Sequence, residues 1–244
     1  MATPSRLRTS TAEWTWRVTS NRRVTHSLVQ LTTNNEPSRM PDPRFSKNVV
    51  FINSLVPLAL LVWDAAHGQL GFNPEEAVIH TTGVLAIVFL VLSLAVTPAR
   101  IVTGWNYFSH FRRMLGLFAF FYACLHLLAY FSMQREWDLG GVAIDVVKRK
   151  FILIGMLALL LMLPLAITST NAMIKRLGSG NWKRLHRLAY AAAVAGVCHF
   201  WISKKADISQ PLAFAVVLAI LLGTRLIHRW LKAARPAALV RSAA

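Results

Sequence analysis

Six blocks of apolar residues constrain the fold of this 244-residue chain more than any other feature. They lie at residues 49–63, 77–96, 114–131, 151–167, 188–202 and 212–227. About 20 apolar residues span a bilayer, and shorter blocks suffice where basic or aromatic residues flank them. The hydrophobic fraction of 55% exceeds the roughly 45–50% of soluble domains. The pattern predicts an all-α integral membrane protein, a bundle of six transmembrane helices over residues 46–232.

The two ends of the chain differ from the blocks between them. Residues 1–45 are rich in Ser, Thr, Asn and basic side chains and hold no long apolar run, so we expect a disordered arm. Met40, which stands before PDPRFSKNVVF, is an alternative start of the protein. Residues 233–244 are expected to form a cytoplasmic tail. Between the ends, we expect Pro98 to terminate the second helix and Pro164 to kink the fourth.

The formal net charge of +17 raises the question of nucleic-acid binding. The lysines and arginines stand beside the apolar blocks, however, so we expect a membrane-lipid environment and no nucleic-acid partner. Cytoplasmic loops carry an excess of Lys and Arg, which assigns TPARIVTGWNYFSHFRR and STNAMIKRLGSGNWKRLHR to that side and the acidic HGQLGFNPEE to the other. Both termini are therefore predicted to be cytoplasmic, although Lys148, Arg149 and Lys150 lie on the outer side. Two cysteines without a CxxC or CxxCH motif give no support for zinc ribbons or covalent haem.

Two histidines, His126 and His199, lie deep in apolar blocks. An ionisable residue within a membrane is a functional hypothesis by default, although an imidazole can also make a plain interhelical hydrogen bond. The third and fifth blocks cross in the same direction, and both histidines fall near the outer end. Two parallel helices can thus present one imidazole each to a common point.

A helix face repeats at three, four and seven residues, and the faces that lead to these histidines carry small residues. They are Ala123, Ala119 and Gly116 before His126, and Gly196, Ala195 and Ala192 before His199. Small residues permit close helix packing, or they make room for a flat ligand. With an imidazole at the end of each row, a macrocycle is the better explanation, and haem iron is readily held by axial imidazoles. Ligation by two histidines leaves no open position and favours electron transfer.

A third histidine, His186, lies at the cytoplasmic boundary. On an ideal helix it would stand roughly 20 Å from His199 and be rotated about 140° away from it. The third block offers no histidine at the matching depth but has Arg112 and Arg113, which could hold haem propionates or a flavin phosphate or simply anchor the helix in headgroups. A second haem would need a helix bulge or another ligand, with His110 a weak candidate. We interpret the remaining histidines as interfacial or incidental: His26, His67, His80 and His228.

Four segments in order along about 180 residues resemble one family of membrane proteins. They are HTTG at His80, RRMLGLFAFFYACLH at 112–126, LPLAITSTNAMIKRLG at 163–178 and NWKRLHRLAYAAAVAGVCHF at 181–200. Together they are similar to the MsrQ (YedZ) family, the haem-binding membrane subunit of the MsrPQ methionine sulfoxide reductase system, within the ferric-reductase-like transmembrane superfamily. The first 45 residues lie outside the resemblance.

The resemblance implies a multi-pass protein of the bacterial inner membrane with b-type haem and FMN. It implies electron transfer from the quinone pool or a cytosolic flavin reductase to MsrP, a periplasmic molybdopterin enzyme that reduces methionine sulfoxide in proteins. The functional histidines of the family fall on His126, His186 and His199. No GxGxxG fingerprint marks a flavin site. Two other readings stay open: a non-redox transporter or assembly protein, and a ferric-reductase-like haem protein with a different acceptor.

Overall fold

The computed structural model describes residues 42–204 and 207–241, and no strand occurs within them. The chain divides into two units at residues 42 and 43, and the predicted arm falls almost entirely outside the described residues. Nine α-helices occur in the described part of the chain: α1 Pro43–Ala66, α2 Pro74–Thr103, α3 Arg112–Ala129, α4 Leu139–Lys148, α5 Lys150–Ile167, α6 Asn171–Leu177, α7 Ser179–Leu185, α8 Leu188–Ser203 and α9 Ser209–Arg241. A 3-10 turn at Asn106–His110 precedes α3, and a π turn at Tyr130–Gln134 continues it.

Five of the described helices are long and apolar enough to cross a membrane. They comprise α1, α2, α3 with its π turn, α5 and the first part of α9, which ends its candidate span at Leu231. The fifth predicted block forms α8, which has 16 residues and is about 24 Å long at 1.5 Å per residue. That is shorter than the roughly 30 Å hydrocarbon core, so the count of six spanning helices stays a prediction.

The second helix does not end at Pro98, contrary to the sequence-based expectation. Helix α2 continues through Pro98 to Thr103, where Gly104 adopts a left-handed conformation with φ of 74°. Proline removes the N–H that would bond the carbonyl four residues earlier, here that of Leu94. The guanidinium of Arg225 on α9 donates to the Leu94 oxygen instead, so this buried carbonyl keeps a partner and the helix continues.

Two helix pairs form the core. Helix α2 packs most extensively against α3, and α5 packs next most extensively against α8, while α3 also contacts α5. Aromatic side chains fill the first pair, where the rings of Phe89 and Tyr122 stack with centroids 5.3 Å apart. The fully buried Tyr122 donates its hydroxyl to the Ser54 carbonyl of α1 at 2.6 Å. Each pair carries one of the two histidines that the sequence places in the membrane.

The segment between the third and fourth apolar blocks contains a short helix, α4. The mixed charge of this segment did not predict a helix. Its Asp145 is 5% exposed. The carboxylate accepts from the Arg135 guanidinium and the Tyr130 hydroxyl, and its other oxygen lies 3.2 Å from Nε of Arg149. This cluster ties α4 to the π turn that follows α3 and to the start of α5.

Candidate functional site

The structure brings together two of the predicted site residues, His126 of α3 and His199 of α8. Their ring centroids lie 6.0 Å apart, and the rings are inclined by 77°. The predicted convergence at one depth of two separate helices is therefore present.

A backbone carbonyl of a neighbouring helix orients each imidazole. Nδ1 of His126 lies 2.8 Å from the Ile79 oxygen of α2, and Nδ1 of His199 lies 2.6 Å from the Phe151 oxygen of α5. A carbonyl only accepts, so Nδ1 carries the proton in both rings and Nε2 keeps its lone pair. Such hydrogen bonds fix the tautomer and ring orientation of metal-ligating histidines. Both Nε2 atoms are thus prepared to bind a metal.

A glycine four residues after each of these carbonyls lets the imidazole approach. A Cβ at Gly83, four residues after Ile79, would lie 2.9 Å from Nδ1 of His126. A Cβ at Gly155, four residues after Phe151, would lie 2.7 Å from Nδ1 of His199. Sequence reasoning missed both roles. Gly83 belongs to the HTTG segment, whereas Gly155 stands in an unremarkable apolar run.

The two imidazoles face a cavity of about 400 Å³, which we call the histidine-pair cavity. Three of the small residues predicted to clear the helix faces line it: Ala123, Ala192 and Gly196. Ala119 is instead fully buried in the core, and Gly116 lines a second cavity. Part of each row therefore borders open space, and its use by a ligand stays a prediction.

The residues of this cavity fit a haem. Metal–imidazole bonds of about 2 Å would place two opposed Nε2 atoms about 4 Å apart, and the two half-rings account for the rest of the 6.0 Å between centroids. Within the described residues, no group of three or more His, Cys, Asp or Glu side chains could hold a bare metal ion. Two neutral imidazoles suit a metal whose other ligands come from a macrocycle.

A second cavity of about 350 Å³, which we call the arginine cavity, contains the other predicted site residues. Arg112, Arg113 and His186 line it, together with Arg100 and Trp182, and no acidic residue occurs among its described lining residues. Arg113 also donates through Nη1 to Oδ1 of Asn171 at 2.6 Å. The lining is thus cationic and suited to an anionic ligand.

His186 is held on Trp182 at the end of α7. Its Nδ1 lies 3.1 Å from the Trp182 carbonyl, and the two rings stack at 3.8 Å. Trp182 in turn donates through Nε1 to the Thr168 oxygen at 2.9 Å. Burial, and secondarily the charge of Arg112, lower the pKa of His186, so the neutral ring is favoured and Nε2 can accept or ligate.

The structure separates His186 from the other two histidines. A turn at His186 and Arg187 breaks the chain into α7 and α8, so the rotation calculated for one continuous helix does not apply. No other histidine occurs among the described lining residues of the arginine cavity. His110, the weak candidate, is exposed with Nδ1 3.0 Å from the Tyr107 oxygen.

Leu90 and Met162 line both cavities. One layer of side chains therefore separates the two at this point.

Of the histidines interpreted as interfacial, His67 and His228 are exposed, whereas His26 lies outside the described residues. His80 departs from that interpretation, because it lines the histidine-pair cavity and its Nε2 is buried without a hydrogen-bond partner among the described residues. The position of His80 at the end of an apolar block did not predict that its side chain would line the cavity.

Known proteins match most of the chain. Residues 82–197 match the family described as ferric reductase like transmembrane component. The protein-methionine-sulfoxide reductase heme-binding subunit MsrQ of Rhodospirillum rubrum is 49% identical over 75% of this chain and 88% of its own length. The MsrQ of Herminiimonas arsenicoxydans is 43% identical over 82% and 92%, and that of Deinococcus radiodurans is 46% identical over 70% and 85%. With these identities over most of both chains, the protein belongs to the MsrQ family within the ferric-reductase-like transmembrane proteins.

Proposed function

We propose that this protein is a membrane electron-transfer subunit that holds b-type haem between His126 and His199. One observation carries the proposal: two imidazoles from different helices, each with Nδ1 bonded to a carbonyl, meet across 6.0 Å in a cavity. The family membership and the names of the relatives, which are haem-binding subunits, support it.

The chain's own residues determine what such a site does. A bound haem supplies a one-electron redox centre. His126 and His199 would hold the haem iron through their Nε2 atoms, which would suit electron transfer and not oxygen binding. The Ile79 and Phe151 carbonyls increase the basicity of the imidazoles, which favours the oxidised metal. Apolar walls such as Leu90 and Met162 limit the access of water.

We assign electron entry to the arginine cavity. Arg112 and Arg113 there would bind the phosphate of FMN or the propionates of a second haem bidentately, and His186 would offer Nε2 to the same ligand. The shared layer of Leu90 and Met162 supports short-range transfer between the two cavities. Electrons would come from the quinone pool or from a cytosolic flavin reductase.

The distribution of charge supports an orientation in the bacterial inner membrane with both termini in the cytoplasm. Most carboxylates of the described residues lie on segments at the histidine-pair end of the helices: Asp64, Glu75, Glu76, Glu136, Asp138, Asp145 and Asp207. Asp145 also offsets Arg149, one of the outer-side cations that weakened the sequence argument. By the positive-inside rule, the histidine pair then faces the periplasm.

In this orientation the acceptor is a periplasmic MsrP-type molybdopterin reductase, which carries out the reduction of methionine sulfoxide in proteins. The subunit itself moves electrons and does not hold the sulfoxide-reducing site. The electron acceptor distinguishes this function from that of another ferric-reductase-like haem protein.

The decisive test is the absorbance of the purified protein. We expect a reducible b-type spectrum that is lost in His126→Ala and in His199→Ala and is kept in the exposed control His67→Ala. Reduced protein should pass electrons to an MsrP-type reductase. A colourless but folded preparation from haem-replete cells contradicts the proposal and favours a non-redox membrane protein. A haem spectrum without electron delivery to MsrP contradicts only the choice of acceptor.

A further inference from the structure

The polar residues of the histidine-pair cavity gather at one end of it. They come from the start of α2, the π turn after α3, the start of α5 and the end of α8: Glu76, His80, Tyr130, Gln134, Arg149, Ser203 and Lys204. The lining towards the shared layer is apolar, with Ile87, Leu90, Ala158, Met162 and Ala192. The cavity is therefore amphipathic and matches a ligand with one polar edge.

His80 is the most constrained member of this polar end, which we call the cavity mouth. Its Nε2 is buried and has no hydrogen-bond partner among the described residues. The ring lies 5.9 Å from that of Phe200, the Gln210 side chain is a hydrogen-bonding neighbour of the ring, and the charges of Glu76 and Lys204 act on it. A buried polar atom without a partner is costly, so this nitrogen is available to a ligand atom.

Two cationic side chains at the mouth could contact an anionic group of a ligand. Lys204 lines it, and so does Arg149, whose carboxylate partner Asp145 is shared with Arg135. One carboxylate thus faces two guanidinium groups, while Asp207 lies within electrostatic range of Lys204 and Glu76 within range of His80.

The acidic residue of the mouth is partly engaged elsewhere. Oε2 of Glu76 accepts from Nδ2 of Asn73 at 3.1 Å, at the beginning of α2. The hydrogen bond holds one oxygen of this carboxylate at the helix cap, while Glu76 still lines the mouth and its charge acts on His80.

We propose that His80 and Lys204, with Arg149, form a carboxylate-binding site at the cavity mouth that holds the propionate groups of the haem. The proposal rests on the proposed function. His80 donates from Nε2–H to a propionate oxygen, and Lys204 and Arg149 neutralise its charge. The apolar edge of the haem is then directed to the apolar walls. His80 is a positioning residue and not a metal ligand.

The test compares two ligands that differ only in the proposed contact, iron protoporphyrin IX and its dimethyl ester. Full-length protein from haem-deficient cells is reconstituted with each in detergent, and the rate of haem loss is measured. For iron protoporphyrin IX we expect the rate of haem loss to rise about tenfold in His80→Leu and several-fold in Lys204→Gln. A tenfold change corresponds to about the free energy of one charge-assisted hydrogen bond. His80→Gln, which keeps an N–H donor, should recover part of the difference. The dimethyl ester keeps a carbonyl acceptor but carries no charge, so Lys204→Gln should match the wild type there and His80→Leu should have a smaller effect.

The midpoint potential gives a second readout. Removing a donor or cation from a propionate destabilises the reduced centre, so His80→Leu should lower the potential more with iron protoporphyrin IX than with the ester. The matched control is His67→Leu, because His67 lies at the same end but is exposed and stacked on Trp63.

Three outcomes are distinct. If His80→Leu and Lys204→Gln act equally on both ligands, or do nothing, the propionate site is wrong and His80 serves packing only. If His80→Leu does not fold, the rates of haem loss in Lys204→Gln and His80→Gln, compared between the two ligands, test the propionate site. If the wild type binds neither ligand, the proposed function itself fails.

Discussion

At Gly83 and Gly155, the missing side chain determines how closely an imidazole approaches the backbone of a neighbouring helix. Residue i+4 of an α-helix lies beside carbonyl i, so a Cβ there would stand between that carbonyl and an incoming ring. Helices α2 and α5 repeat this arrangement, with the carbonyl of Ile79 four residues before Gly83 and that of Phe151 four before Gly155. The same arrangement of carbonyl and glycine thus favours the Nδ1-protonated tautomer in both histidines.

Gly155→Ala should displace His199 from the Phe151 carbonyl, because the added Cβ would lie 2.7 Å from Nδ1. Overpacking of this kind costs about 1–3 kcal/mol, which we expect as a loss of haem affinity of about tenfold or more. Gly83→Ala, with 2.9 Å to His126, should act in the same direction. Haem content per protein and the rate of haem loss measure the effect.

Gly223→Ala is the matched control for the glycine variants. Gly223 lies within α9, and a Cβ added there would meet no neighbouring element of the described residues within 4 Å. Haem content should therefore stay at the wild-type value. Equal haem content in Gly155→Ala and Gly223→Ala would show that the close approach at Gly155 is not required.

The residues of the site were predictable to different degrees. His126 and His199 were found because an ionisable side chain in an apolar block is conspicuous, and their common depth follows from helix direction alone. Gly83, Gly155 and the unpaired nitrogen of His80 were not found. Their roles depend on which face of one helix meets another, and that information is not present in the periodicity of a single segment.

At the scale of elements, α2 shows how a distant residue keeps a proline-containing helix intact. Pro98 leaves the Leu94 carbonyl without an intrahelical donor, and Arg225 replaces it from α9. The guanidinium carbon lies 5.0 Å from the centroid of the Tyr190 ring, a favourable cation–π geometry. The carbonyl that Pro98 leaves free thus connects α2 to α9 through Arg225, at the position where the sequence predicted a helix end.

Arg225→Met should destabilise the protein by at most about 1–2 kcal/mol, because it leaves the Leu94 carbonyl buried without a donor but also removes Nε and Nη1 of Arg225, which are buried without a partner among the described residues. In a Pro98→Ala background the restored N–H at residue 98 can bond that carbonyl, so the same substitution should cost less. We expect a coupling of about 0.5–2 kcal/mol in a double-mutant cycle of denaturant unfolding in detergent. Additive effects of the two substitutions would mean that Arg225 acts through other contacts, such as Tyr190.

The elements themselves were largely predictable, since long apolar blocks identify helices in a membrane protein. Two departures have physical causes. Helix α4 has only 10 residues and a mixed charge, and the buried Asp145 cluster that holds it depends on Arg135 and Tyr130 from another element. The extension of α2 beyond Pro98 depends on Arg225, which stands 131 residues after Leu94 along the chain.

At the scale of the whole molecule, two cavities with different side chains lie on either side of Leu90 and Met162. One presents a pair of neutral imidazoles, and the other presents three arginines and a single histidine among its described lining residues. The first suits a metal within a macrocycle, and the second suits the anionic group of a cofactor. Because different side chains form them, the two sites should be separable by substitution.

Arg112→Gln should weaken the binding of FMN or of a second haem in the arginine cavity by about tenfold or more, since it removes one charge-assisted partner of an anionic group. His186→Ala should also affect this cavity alone. In both variants the absorbance that depends on His126 and His199 should persist. Flavin fluorescence after denaturation and the haem-to-protein ratio measure the two contents separately.

Arg176→Gln provides the control, because Arg176 lies at the end of α6, is exposed and is not among the lining residues of the arginine cavity. It removes the same charge from the same end of the molecule, so it accounts for any effect of general electrostatics on cofactor binding or insertion. If Arg112→Gln and Arg176→Gln weaken the second cofactor equally, the ligand responds to net charge and not to the cavity. If Arg112→Gln removes the cofactors of both cavities together, the two cavities do not act as separate sites. Electron transfer would then involve a single cofactor.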